Sequence, residues 1–312
     1  MSKTALISGI GGQDGSYLAD ILLAKGYEVH GLVRHSSCDN LWRLKHIKDK
    51  LNLHRGDVTD MRSVMGTVAT VNPDELYHMA DQDNVGWSFS VPGVQIDVTY
   101  GGVQNVLESV LQVKKECKVF IPVSATMFGN APPPQNEDTP LDPRSPYACA
   151  KAAAYHLARH YRRDHSMFVT CGIMYNHDSP RRGPDYLLQK ICRAAKLADI
   201  NDPLIMGNLD LKVDIGYSPD YMDTAYKILQ LDEPDDFVVS TEFGHPIRSM
   251  IAAAYLLNGV YDPVGKGYVI HGGDRPDQPV LVGDNSKLRE LMSFNHRDSI
   301  DTIKWIMGEI YL

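Results

Sequence analysis

The sequence predicts an α/β fold: a parallel sheet with helices on both faces, followed by a smaller C-terminal lobe. Three observations predict it. Short apolar runs alternate with helical stretches from residue 4 to 174, the pattern of a sheet buried on both sides. A glycine-rich turn at Gly9, Gly12 and Gly15 joins the first run to the first helix. Beyond residue 175 the alternation falters, and Pro and Gly become frequent (Pro180, Gly183, Pro184, Pro203, Gly207).

Residues 4–8 (Thr-Ala-Leu-Ile-Ser) read as a buried strand, and Ser16 to Lys25 as a helix ended by Gly26. Glu28 to Val33 is a second strand and Leu51–His54 a third, leading to Gly56-Asp57-Val58-Thr59. Residues 60–71 are helical, Asp74 to Met79 a strand, 96–115 a helix, 118–124 a strand, 145–163 a helix and 167–174 a strand. Later, 186–198 and 220–231 read as helices and 236–240 as a strand. The expected division is 1–174, with 213–240 returning to it, and a second lobe from 175–212 and 241–312. Pro132-Pro133-Pro134 reads as a stiff surface loop.

The chain has 312 residues, enough for a sizeable core, with 22% charged and 43% hydrophobic residues, ordinary for a soluble globular protein. A formal net charge of −8 argues against nucleic acid or an anionic membrane as partner. The five cysteines (Cys38, Cys117, Cys149, Cys171, Cys192) are scattered without a CxxC, which suits reduced thiols and neither a disulfide framework nor a metal site. The first residues enter a strand pattern directly, and no apolar run reaches about 18 residues. A cytoplasmic location is expected.

The glycine turn opens the first βα unit, the context that a Rossmann-type dinucleotide site requires. Glycines allow the tight turn and let backbone N–H groups approach a pyrophosphate at the helix N-terminus. Gly9, Gly12, Gln13, Asp14 and Gly15 are the expected contacts. At the end of the second strand an acidic residue would bond the adenosine 2′-hydroxyl. Arg34, with Ser36 and Ser37, instead offers a cation and hydroxyls to a 2′-phosphate. NADP is expected, with NAD as the alternative. Asp57 and Val58 are placed as adenine contacts, although Asp57 also suits a helix cap.

Ser145-Pro146-Tyr147-Ala148-Cys149-Ala150-Lys151 carries the chemistry. Ser145 is a good N-cap and Pro146 a good first helical residue, and a spacing of four sets Tyr147 and Lys151 on one face. A phenol titrates at about 10, so a tyrosine base at neutral pH needs roughly 4 kcal/mol of phenolate stabilisation. One lysine at about 4 Å supplies ~1 kcal/mol in water but ~4 kcal/mol at an effective dielectric near 20. The pair therefore works only in a partly dry cleft. Without the upstream glycine turn it would be an ordinary helix face.

Gly9–Gly15, Asp57 and Tyr147/Lys151 together resemble the extended short-chain dehydrogenase/reductase family. A closer resemblance is to the GDP-mannose 4,6-dehydratases. It is carried by Gly12-Gln13-Asp14-Gly15-Ser16-Tyr17-Leu18, Tyr27 to Arg34, Arg144 to Ala148, Asn176-His177-Asp178-Ser179-Pro180-Arg181-Arg182-Gly183 and Gly207-Asn208-Leu209-Asp210. The resemblance implies oxidation of a nucleotide sugar at C4 by hydride transfer to NADP, proton removal at C5, loss of water from C6 and return of the hydride to C6. It assigns the base to Tyr147, its lysine to Lys151 and the C4-oxygen contact to Ser124, with Ala80 near the cofactor. Asn176, Lys190, Gly207, Asn208 and Arg275 match substrate-binding positions. Arg34 to Ser37, with Asn40 and Arg43, resemble a loop that reaches a neighbouring subunit's cofactor, which implies a homodimer or homotetramer.

The chain departs from that family where the C5 proton is removed. In Ala125-Thr126-Met127-Phe128-Gly129, Thr126 stands in the place of the glutamate base. An alcohol is no substitute, because this proton transfer needs a group titrating near the working pH. Ser124-Ala125-Thr126 is similar instead to the serine-alanine-threonine stretch of UDP-galactose 4-epimerases, which need no C5 base. Asp81 and Asp83 stand where the family is small or neutral, and either is a relocated base or simply holds a loop. Val213 replaces an arginine near the nucleotide phosphates. The favoured expectation is thus an NADP-dependent GDP-hexose enzyme acting as a C4 epimerase or 4-keto reductase. The alternatives are a true dehydratase with its base at Asp81 or Asp83, and a catalytically silent NADP-binding protein.

Overall fold

The structure, a computed structural model, describes residues 2–37, 39–273 and 279–309. Cys38 and Arg275 lie outside the described residues. The chain forms two compact units: the first comprises residues 1–129, 141–174 and 222–237, the second 130–140, 175–221 and 238–312.

The first unit opens with β1 (Thr4–Ser8), α1 (Gln13–Ala24), β2 (Glu28–Val33), β3 (Asn52–Arg55), α2 (Met61–Val71) and β4 (Glu75–His78). Two single-turn helices follow, α3 (Val85–Ser88) and α4 (Pro92–Gln95), then a π turn (Ile96–Gly101) running into α5 (Gly102–Val113). Next come β5 (Lys118–Ser124), a 3₁₀ turn (Ala125–Phe128), α6 (Pro146–His165) and β6 (Val169–Met174). The later elements are β7 (Asn176–Asp178), α7 (Leu187–Leu197), β8 (Leu204–Met206), β9 (Lys212–Tyr217), α8 (Ser218–Leu229), β10 (Asp236–Val239), β11 (Gly244–Pro246), α9 (Ile247–Leu257), β12 (Val269–His271), α10 (Ser286–Leu291) and α11 (Ser299–Glu309).

Seven strands form one sheet in the order β10-β6-β5-β4-β1-β2-β3. The β1–β2, β1–β4, β2–β3, β4–β5 and β5–β6 pairings are all parallel, as the strand–helix alternation predicts. Ala5, Ile7, Leu76, Tyr77, Val119, Phe120, Ile121 and Val169 are almost wholly buried in it, which is why these strands read as continuous apolar runs. Chain order reverses between β1 and β4, opening a crevice at the strands' carboxyl ends, the usual ligand position in such sheets.

The α6 helix is fixed at both ends. Ser145 accepts a hydrogen bond from the Ala148 amide at 3.1 Å, with Pro146 in the first turn. At the far end Arg162 pairs with buried Asp236, which also accepts from the Tyr155 hydroxyl at 3.0 Å. Ser166, in the left-handed conformation, ends the helix.

The second unit holds a three-stranded sheet, β11-β9-β7, and a two-stranded one, β12-β8. Leu188 and Ile191 of α7, Met250 and Ile251 of α9, and Ile303 and Ile306 of α11 form its core. Among the described residues no helix is long and apolar enough to cross a membrane, and no group of His, Cys, Asp or Glu side chains could hold a metal ion. Pro132, Pro133 and Pro134 are exposed.

Candidate active site

A cavity of about 440 Å³ opens at the reversal of strand order, within the size range of roughly 300–1,000 Å³ usual for small-molecule sites. Gly9, Gly12, Arg34, Asp57, Val58, Ala80, Asp81 and Asp83 are among its lining residues. The glycine turn is tight: the Gly12 amide donates to the Gly9 carbonyl at 2.9 Å. Gly9 has φ +69°, and a Cβ there would lie 2.6 Å from the Ala80 amide nitrogen. Only glycine allows the turn to pack this closely against the backbone that follows β4.

Gln13, Asp14 and Gly15 begin α1, and the Gln13 side chain donates to Asp14 at 2.9 Å. Gln13 and Gly15 are buried, and Gln13, Asp14 and Gly15 all lie outside the cavity lining. Exposed Ser36 also lies beyond that lining, whereas Arg34 is part of it. Asp57 does not cap α2: it accepts from the Thr59 amide and hydroxyl at 3.0 and 2.8 Å, and Asp60 takes the cap position, accepting from the Arg62 amide. Arg43, which the resemblance places in a loop reaching a neighbour's cofactor, donates to Gly11 O of its own chain at 3.1 Å and stacks on Trp42.

Ser124, at the end of β5, accepts from the Thr126 amide at 3.2 Å and from the Thr126 hydroxyl at 2.9 Å. Thr126 therefore orients Ser124, leaving the serine's own proton to be donated elsewhere. Tyr147 and Lys151 are each 7% exposed, as a low-dielectric pair requires. The Lys151 ammonium lies 5.8 Å from the Tyr147 ring centroid. It donates to Pro122 O at 2.8 Å and pairs with Asp81 Oδ2, also at 2.8 Å. An ammonium has three protons, so one remains for a ribose hydroxyl or the phenolate.

Sequence spacing did not reveal the Lys151–Asp81 contact. Asp81 Oδ1 accepts from the Thr99 hydroxyl and from the Gln82 amide. Gln95, fully buried, bonds Thr99 and accepts from the Gln82 side chain at 2.9 Å. Thr99 sits in the π turn, a local widening common at functional sites. His78 lies beneath, its Nδ1 2.8 Å from Ser8 Oγ. Burial, and then the charge of Lys151, push its pKa down to about 3, so it stays neutral.

Asn176, Lys190, Gly207 and Asn208, expected from the sequence to contact substrate, all fall in the second unit. Asn176 begins β7, and Lys190 projects from α7; both are exposed. Gly207 and Asn208 follow β8, where Asn208 accepts from the Asp210 amide at 2.9 Å. Val213 pairs with His245 in the β9–β11 ladder.

The family model described as GDP-mannose 4,6 dehydratase matches residues 6–304. GDP-mannose 4,6 dehydratase 2 of Arabidopsis thaliana is 39% identical over 311 residues, covering 94% of this chain and 82% of its own length. The GDP-mannose 4,6-dehydratase of Vibrio cholerae serotype O1 is 41% identical over 278 residues, covering 85% and 74%. A UDP-glucose 4-epimerase structure from Thermotoga maritima, with UDP-glucose, superposes with a TM-score of 0.87 at 18% identity, covering 98% and 97%. A dTDP-glucose 4,6-dehydratase structure from Bacillus anthracis, in complex with NAD, gives 0.85 at 17%, covering 99% and 97%. At such identities the two structures speak for the fold alone.

Proposed function

Because this chain belongs to the GDP-mannose 4,6 dehydratase family, we propose that it oxidises a GDP-hexose at C4, with NADP as cofactor. As a C4 epimerase it then returns the same hydride to the opposite face of C4 without expelling water; as a 4-keto reductase it would run only the second half, a 4-keto sugar taking hydride from reduced NADP and a proton from Tyr147. The observation that carries this reading is the buried Tyr147–Lys151 face beside a Ser124 that Thr126 holds in place.

When bound, the nicotinamide supplies the acceptor and donor of hydride. Tyr147, as phenolate, takes the proton of the C4 hydroxyl and gives it back on reduction. Lys151 stabilises that phenolate, and Ser124 donates to the sugar oxygen. Asn176, Lys190, Gly207 and Asn208 hold the nucleotide sugar, with Arg275 added on resemblance alone.

Dehydration requires a base at C5, and Thr126 is not one. The names of the curated relatives favour the second reading, a dehydratase whose base has moved. Asp81 suits that role poorly, since Lys151 holds one of its oxygens and Thr99 and Gln82 hold the other. Asp83, which lines the cavity, is then the candidate, and Asp83→Asn would abolish dehydration.

Incubation with GDP-mannose and other nucleotide hexoses, read by NMR and by absorbance at about 340 nm, decides the outcome. A C4-altered hexose is expected. A 4-keto-6-deoxy sugar from the wild type would overturn the proposal, and no cofactor reduction with any hexose would favour a silent NADP-binding protein. Thr126→Glu places a carboxylate where the family has one and is expected to bring a 4-keto-6-deoxy product into the mixture.

Cofactor choice rests on Arg34. A charge-assisted bond to a 2′-phosphate contributes about 1.5–3 kcal/mol, reduced by the exposure of this side chain. Arg34→Ala is expected to weaken NADP binding about tenfold and to leave NAD binding unchanged, as read by fluorescence titration. Equal losses for both dinucleotides would show that Arg34 does not read the 2′-phosphate and would remove the argument for NADP over NAD.

A further inference from the structure

We propose that Asp81 is a positioning residue that sets how strongly Lys151 acts on Tyr147, its carboxylate offsetting part of the ammonium's charge. The inference rests on Tyr147 being the base of the reaction proposed above.

The pair is built in. Side-chain exposures are 8% for Lys151 and 13% for Asp81, so solvent screens little of their interaction. The carboxylate is held by Thr99 from the π turn and by the Gln82 amide. The Gln82 side chain is fixed in turn by Gln95 and by the Asn84 amide at 2.8 Å. A satisfied buried network of this kind is rigid. A loop held in place needs only hydrogen bonds, whereas here an ionised group closes on the ammonium at 2.8 Å. A negative charge beside the ammonium weakens the field that favours the phenolate.

The remaining charged groups near α6 do not substitute for Asp81. His78 of β4 is neutral, with its pKa pushed down to about 3 by burial and then by Lys151. Asp83 lines the cavity on the same loop. The α3 and α4 helices and the 3₁₀ turn have no titratable side chain. In the π turn Asp97 is exposed, and Tyr100 faces Tyr161 near the far end of α6. On β5 Lys118 binds the Leu229 and Leu231 carbonyls. Glu108 of α5 accepts from Tyr161, and Cys171 of β6 is buried near Asp236. Among the described residues Asp81 is the carboxylate paired with Lys151.

The test is the titration of Tyr147 in the full chain saturated with oxidised NADP. The protein is labelled at tyrosine Cζ with carbon-13, and the resonance is assigned with Tyr147→Phe. In Asp81→Asn and in Asp81→Ala the midpoint is expected to fall by about one pH unit. The acid limb of the rate of cofactor reduction should move with it. Thr99→Val removes one hydrogen bond and keeps the charge, so its midpoint should match the wild type. An unchanged or raised midpoint in the Asp81 variants would overturn the proposal, as would an equal shift in Thr99→Val. Because the titration needs no sugar, failure of the C4-oxidation reading would appear in the product assay and leave this measurement intact.

Discussion

Tyr147→Phe is expected to slow cofactor reduction by the sugar about a thousandfold, since a positioned general base contributes roughly 10²–10⁴ in rate. The substitution removes one oxygen and keeps the ring. The ring lies in the first turn of α6, whose Ser145 cap and Pro146 start are retained, as is the Arg162–Asp236 anchor at the far end. The fold should therefore be retained, and the loss should fall on the chemical step. Single-turnover absorbance at about 340 nm measures it, with a binding titration as control. Cofactor reduction within tenfold of the wild type would mean that another group takes the C4 proton, and the role given to Lys151 would go with it.

The parts of this molecule legible in its sequence are those whose causes are local. The strand at Lys118–Ser124 emerges with the expected bounds, because an apolar run buried on both faces needs no knowledge of its partners. The α6 start is equally local, with cap, proline and helix formers adjacent in the chain. The second unit was harder to read. Its strands are mostly three residues long, and their partners are distant: Val269 pairs with Leu204, and Gly244 with Asp214. The α9 helix has no side-chain cap, and the sequence reading places no helix at α9 or α11. The same distinction holds in the site. The Tyr147–Lys151 spacing is a property of one helix, whereas the Lys151–Asp81 pair joins α6 directly to the loop after β4, with Asp81 held by Thr99 of a π turn that no local pattern announces. The helix cap shows the same limit. Asp57 and Asp60 are both suitable residue types, and only the geometry of the turn selects Asp60.

Gly129→Ala should be the most disruptive small substitution in the first unit. Gly129 has φ +53° and ends the 3₁₀ turn that carries Thr126. A Cβ there would lie 1.8 Å from the Asp142 carbonyl oxygen and 2.8 Å from its carbon. Both are backbone atoms, so no side-chain rotation relieves the overlap. The Asp142 amide is itself bonded to Met127 O at 2.8 Å, which ties the turn to the segment leading into Ser145. Relief must therefore come from moving the 3₁₀ turn, and with it Thr126 and Ser124, away from the start of α6. A strained φ alone costs about 1–3 kcal/mol, and with the overlap the loss should be on the order of 4 kcal/mol. That corresponds to a fall in melting temperature on the order of 10 °C, with cofactor reduction impaired even in the protein that stays folded. Gly66→Ala is the matched control: it lies within α2, a Cβ there meets nothing within 4 Å, and alanine should stabilise the helix by about 0.5–1 kcal/mol. If Gly129→Ala melted with the wild type while Gly66→Ala rose as expected, the close approach of Gly129 to Asp142 could not be what holds Ser124 in place.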